Sequence, residues 1–250
     1  AEADSKYVPN VELVGEISAI LRQLNSKLTQ EHQKETKQFA ELRQEITQEL
    51  EEYKDDVNIP LKPQRILNDV RSVLKEEDIL ISDVGAHKMW VARQYPAYHS
   101  KTCFIYNGFC SMGGAMPGAV TAKKLNPDKN VAAICGDGGF IMSIQALVSA
   151  VELKLPILVL LWEDDYYGLI KWKQEMEFKE HSHVQLHNPD LVHVAQGFGC
   201  HSLRIESASQ LQNAMQEALA QKDKPTVLVI PVDYSENMKL TRRLGKLVSH

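Results

Sequence analysis

The chain has 250 residues, 44% of them hydrophobic, and a formal net charge of -5. That is enough apolar material for a sizeable core. The absence of any Lys/Arg block excludes a nucleic-acid grip, and no apolar run reaches the roughly 18 residues of a membrane span. Four separated cysteines, Cys103, Cys110, Cys135 and Cys200, form neither a C-x-x-C pair nor a disulfide framework, which fits a reducing compartment. The expected location is the cytoplasm, or an organelle after loss of a targeting segment.

In chain order, "VELVGEISAILRQLN" reads as a short strand running into an amphipathic helix that ends near Leu28. Thr29 to Asp56 is highly charged, and Phe39, Leu42, Ile46, Leu50 and Tyr53 recur at three- and four-residue steps. That pattern predicts one linker helix with a single apolar stripe. From "NIPLKP" onward β and α patterns alternate. Pro63 suits the first turn of a helix carrying Ile66, Leu67, Val70, Val73 and Leu74 on one face. Strands are predicted at "DILIS", "TCFI", "VAAIC", "PILVLLW", "CHSLRI" and "PTVLVIPV", with helices at Met112 to Leu125, Phe140 to Leu153, Asp190 to Gln196 and Ala208 to Gln221. Short, nearly all-apolar strands between amphipathic helices imply an α/β fold: a three-layer, doubly wound parallel sheet of about six strands behind a charged helical linker. The expected division is 1–28, a remnant of another domain; 29–60, the linker; 61–235, the α/β domain; and 236–250, a basic tail.

In such a sheet, ligands collect at the carboxyl ends of the strands. "VAAICGDGGF" places Asp137 between glycines at a strand end, a stretch that alone could be an ordinary turn. The next strand runs into "WEDDYYG", so a right-handed crossover brings Asp164 to the same edge. Two carboxylates about 4 Å apart repel by roughly 4 kcal/mol at an effective dielectric near 20. A hard cation relieves this, and an all-oxygen donor set favours Mg²⁺ or Ca²⁺ over zinc. Gly136, Gly138 and Gly139 would let backbone N–H groups approach a phosphate. The Asp137 turn therefore reads as half of a metal–diphosphate clamp.

Strand, GDG, 25 intervening residues, Asp164 and then "YYG" make a specific combination. Here the chain resembles the thiamine-diphosphate (ThDP) enzymes, and among them the acetolactate synthase large subunits, from Pro63 to Leu240. "SDVGAHKMW", "NGFCSMGGAMPGAV" and "VIPVDYSENMKL" carry the same likeness. The resemblance implies that Asp137, Asp164 and the Tyr166 carbonyl hold Mg²⁺. It also places Gly136, Gly138, Gly139, Tyr167, Gly168 and Leu169 against the diphosphate. Val84, Gly85, Ala86 and His87 match the first phosphate-facing loop, with Ala86 where the family usually has Gln. Met112 matches the bulky residue that wedges between the two cofactor rings, and Cys110 falls near the pyrimidine. Asp164 stands where Asn is common, and Glu163 where Asn is frequent.

By the same resemblance the chain is the C-terminal, diphosphate-binding part of a larger enzyme that condenses two pyruvates to 2-acetolactate with loss of carbon dioxide. The activating Glu lies on an N-terminal pyrimidine-binding domain, usually from the other subunit of a homodimer or homotetramer, so the chain alone should bind ThDP weakly and not turn over. Some relatives also carry FAD on the middle domain, of which residues 1–28 resemble only the end, and FAD stays open. An inactive cofactor-binding or oligomerising fragment, another ThDP-dependent 2-keto acid decarboxylase, and a Mg²⁺-dependent phosphate enzyme unrelated to ThDP are the alternatives. His181, His183 and His187 are read as a solvated loop at the mouth of the site rather than a second metal centre.

Overall fold

A computed structural model describes residues 10–28 and 37–240. The chain forms two compact units, Ala1–Ile46 and Thr47–His250.

In the first unit, α1 spans Ile17–Lys27. The Glu16 carboxylate caps it by accepting hydrogen bonds from the backbone N–H groups of Ser18 and Ala19. The strand expected at Val11–Val14 does not form, and Val11, Leu13 and Val14 are exposed. A strand is stabilised by pairing and by a buried face, and this segment has neither. The linker helix ends earlier than expected, at Leu50: α2 is described over Lys37–Leu50, and Thr29 to Thr36 lies outside the described residues. Turns follow, and Tyr53 takes a left-handed φ of 60° that no helix continues through.

The second unit is built on six parallel strands: β1 (Ile79–Ser82), β2 (Cys103–Ile105), β3 (Val131–Gly136), β4 (Leu158–Glu163), β5 (His201–Arg204) and β6 (Thr226–Pro231). Their order is β2-β1-β3-β4-β6-β5. All six coincide with the predicted strands. Alternate side chains serve opposite faces. Leu80, Ile134, Leu160 and Leu228 pack with α3 (Pro63–Val73), α4 (Ala86–Gln94) and α10 (Ala208–Ala220). Ile81, Ala133, Val159 and Val229 pack with α5 (Ala115–Leu125), α6 (Asp137–Ser143), α7 (Ala146–Glu152) and α9 (Leu191–Gly197). Both faces are therefore covered, and the fold is the three-layer α/β architecture the all-apolar strands imply.

Several helices depart from their expected limits. The helix predicted from Met112 begins only at Ala115, because Gly113 adopts a φ of +83°. The one predicted over Phe140 to Leu153 is two, beginning at Asp137 and interrupted at Ile144–Gln145. Helices α4 and α8 (Gly168–Phe178) have no sequence-predicted counterpart.

The winding reverses between β1 and β3: the chain leaves β1 for β2 on one side and returns to β3 on the other. Crevices in doubly wound sheets open at the carboxyl end of such a switch.

Candidate functional site

Three chain segments converge on that crevice. After β1, Val84, Gly85, Ala86 and His87 lead into α4; after β3, Gly136, Asp137, Gly138 and Gly139 open α6; after β4, Asp164, Tyr166, Tyr167, Gly168 and Leu169 lead into α8. Together with Cys110 and Met112 from the turn before α5, they line one cleft of about 190 Å³. Every site residue singled out in the sequence therefore lies on this one surface. Ile170 and Tyr234 complete the lining and were not read from the sequence.

The two carboxylates come from adjacent strands, since Gly136 and Trp162 are register partners. Asp137 is 1% exposed. Its Oδ1 accepts from the Gly138 N–H at 2.8 Å, and its Oδ2 accepts from the Asp165 N–H and the Asn188 side-chain amide, both at 2.8 Å. An oxygen with two lone-pair sites is thus filled at Oδ2, while Oδ1 keeps one direction free for a cation. Burial drives the Asp164 carboxyl up to about 7, and repulsion from Asp137 adds to that; Lys171 opposes it. Burial also raises Asp137, against the hydrogen bonds from Asn188, Gly138 and Asp165. A divalent cation between the two acids would remove the repulsion and draw both to the carboxylate form.

The phosphate side of the cleft is shaped by missing side chains. A Cβ on Gly138 would come within 2.9 Å of the Tyr167 ring, and one on Gly168 within 3.0 Å of Asp164 Oδ2. His87 is 3% exposed, its Nε2 has no hydrogen-bond partner, and burial pushes its pKa down to about 4. In this neutral ring Nε2 can only accept a hydrogen bond. The bare backbone N–H groups of this turn fit a diphosphate, and the paired acids fit Mg²⁺.

Two functional positions escaped the sequence reading. Asn188 bridges Asp137 and Asp165, with its amide 2.8 Å from each. Asp83, fully buried, accepts from the N–H groups of Gly113 and Gly114 at 2.8 and 3.0 Å. These contacts span 23 to 51 residues of sequence, so no local motif signals them. The charge at Glu163 does not enter the crevice unpaired, because Arg204 on β5 holds it with both guanidinium nitrogens. Among the described residues no group of three or more His, Cys, Asp or Glu side chains could hold a metal ion. His181 pairs with Glu175 at 2.9 Å, and His183 contacts Ser182 at 2.6 Å. The histidine segment thus forms no second metal centre. The four cysteines are free thiols.

An open α/β sheet with an acid pair and a glycine cradle at its switch point defines a cofactor-diphosphate-binding domain. Residues 83–230 match the family described as thiamine pyrophosphate enzyme, C-terminal TPP binding domain. The chain belongs to that family, and its cofactor is thiamine diphosphate. It is 31% identical over 261 aligned residues to an acetolactate synthase of Bacillus subtilis (strain 168), covering 99% of this chain and 45% of the relative. It is 32% identical to a catabolic acetolactate synthase of Raoultella terrigena, covering 98% and 44%. The chain thus spans less than half the length of these relatives. Among solved structures, a thiamine diphosphate-dependent 4-hydroxybenzoylformate decarboxylase of Rhodococcus jostii RHA1 superposes with a TM-score of 0.67 over 72% of this chain and 34% of that one. At 24% identity that likeness speaks to the fold. No described helix is long and apolar enough to cross a membrane.

Proposed function

We propose that the chain is the ThDP- and Mg²⁺-binding catalytic domain of an acetolactate-synthase-type enzyme, which joins two pyruvates into 2-acetolactate and releases carbon dioxide. The observation that carries this reading is the meeting of Asp137 and Asp164 on adjacent strand ends beside the Gly138–Gly139 cradle. Both curated relatives named above are acetolactate synthases aligned over nearly the whole chain, which supports the choice of reaction.

When bound, thiamine diphosphate supplies the nucleophile and electron sink that let a 2-keto acid lose carbon dioxide. The chain's own residues bind and orient it. Asp137, Asp164 and the Tyr166 carbonyl would hold the ion. The backbone at Gly138, Gly139, Gly168 and Leu169 would receive the diphosphate, with His87 on the same cleft wall. Met112 would seat the rings.

A cleft of about 190 Å³ is smaller than the ~300 Å³ at which small-molecule pockets usually begin. It forms one wall of a site. Its rim exposes Phe109, 98% accessible, and Met142, 50% accessible. Such apolar surface suits an N-terminal pyrimidine-binding domain, from the same chain or another subunit, which would bring the activating acid. On its own the chain holds the cofactor without turning over.

Calorimetric titration with ThDP and Mg²⁺ tests the cofactor half: a saturable heat that needs both components is expected, and its absence refutes the reading. Adding the N-terminal domains and measuring carbon dioxide from pyruvate tests the reaction. Release from another keto acid but not from pyruvate would move the assignment to a different decarboxylase.

A further inference from the structure

We infer that Asp83 is a positioning residue: its buried carboxylate locks the Met112 turn, which seats the cofactor rings, against the Gly138–Gly139 turn, which receives the diphosphate. The inference rests on the cofactor reading proposed above.

Asp83 is 0% exposed at the end of β1, where no cation neutralises it. A bare carboxylate in such a place is costly unless N–H donors surround it. Besides the adjacent Val84 N–H, its donors come from the backbone around the start of α5. Gly113 gives its N–H to Oδ2 at 2.8 Å and Gly114 gives its N–H to Oδ1 at 3.0 Å. Asp83 thus caps a helix that begins 32 residues later in the chain, with Ala115 as its first residue. The capped turn is under backbone constraint, with φ of +54° at Cys110 and +83° at Gly113. Met112 lies in a turn outside helix and strand, so no helical or ladder hydrogen bonds hold it.

The same carboxylate touches the other turn. A Cβ on Gly139 would lie 2.2 Å from Asp83 Oδ2, so the first turn of α6 rests directly on this oxygen. A Cβ on Gly113 would lie 3.2 Å from the Cβ of Ser143, so α6 also walls the Met112 turn from the far side. One oxygen therefore contacts both halves of the cleft and fixes the spacing between them. A carboxylate suits this task because the polar groups that face it are N–H donors; an amide at position 83 would set an N–H₂ against an N–H.

The test compares two ligands on the intact chain, with saturating Mg²⁺ present: ThDP, which needs both halves of the cleft, and inorganic pyrophosphate, which needs one. For Asp83→Asn, ThDP affinity is expected to fall roughly tenfold or more, the loss typical of a buried charge-assisted hydrogen bond. Pyrophosphate affinity should stay within about twofold. A role confined to stability would lower both together, or neither once the variant is folded by circular dichroism, and either result overturns the inference. Met112→Ala should give the same ThDP-selective loss, and the double variant should lose no more than the larger single one. If Asp83→Asn does not fold, Met112→Ala decides: unchanged ThDP affinity there means that the turn seats no ring, and the inference falls. Wild-type chain that binds pyrophosphate and ThDP equally also overturns it. Wild-type chain that binds neither ligand refutes the cofactor reading itself.

Discussion

His87 and Asp164 are shifted by the same leading cause, burial, yet their effects on stability run in opposite directions. His87 is neutral in the fold with a pKa near 4, against 6.5 for the free side chain. Between those values the unfolded chain binds the extra proton, so the contribution of His87 is intact above pH ~6.5 and is lost as pH falls toward 4, by about 3 kcal/mol in all. Denaturant melts of wild type and His87→Gln across pH 4 to 7 should show this as a wild-type-specific loss on acidification; parallel profiles would contradict it. Asp164, raised from 3.8 to about 7, holds a proton in the fold that the unfolded chain has released. Without metal, its stabilising share is present at low pH and disappears as pH rises through 7. Mg²⁺ must then displace a proton near neutrality. Calorimetry at pH 6.5 in buffers of different ionisation enthalpy should register that release, and Asp164→Asn should abolish it while weakening Mg²⁺.

At the scale of elements, the strands are the sturdiest part of the design. Ile134, on β3 between β1 and β4, is fully buried. Ile134→Ala should cost about 2–5 kcal/mol, because the packed neighbours on both sides leave a cavity that cannot collapse; a chemical melt gives the number, and a change under 1 kcal/mol would mean that the centre of the sheet is plastic. The six strands were legible because continuous apolar runs bounded by turn residues have few other uses. Helices α4 and α8 were not. "AHKMWVARQ" and "GLIKWKQEMEF" lack a clean apolar stripe: α4 has one end in the cleft and the other on the core, and α8 starts in the cleft and buries only Trp172. The segment at Val11–Val14 misled in the opposite sense, alternating like a strand without a partner to pair with. The acid pair was legible from spacing because a β-α-β crossover is nearly always right-handed. Asn188 and Asp83 were hidden because their partners lie 51 and 30 residues away, a distance over which sequence carries no geometric cue.

For the whole molecule, the exposed rim decides what the chain needs. Phe109 sits beside the cleft almost wholly in solvent, so Phe109→Ser should change the chain's own stability by less than about 0.5 kcal/mol. The same substitution should weaken association with the pyrimidine-binding domain, read by sedimentation or light scattering of the mixed domains. Equal association in both would place the contact elsewhere.

The pairing of Gly136 with Trp162 has a wider consequence. One aspartate follows each of these residues within two positions, so the gap between the acids is set by how two central strands lie in step. A slip by a single step would shift one acid by ~3.3 Å and turn it to the other face. Chelation strength is therefore a gauge of interior alignment, and variants deep in the hydrophobic layers that loosen ion binding would be reporting disturbed strand alignment from a place no solvent reaches.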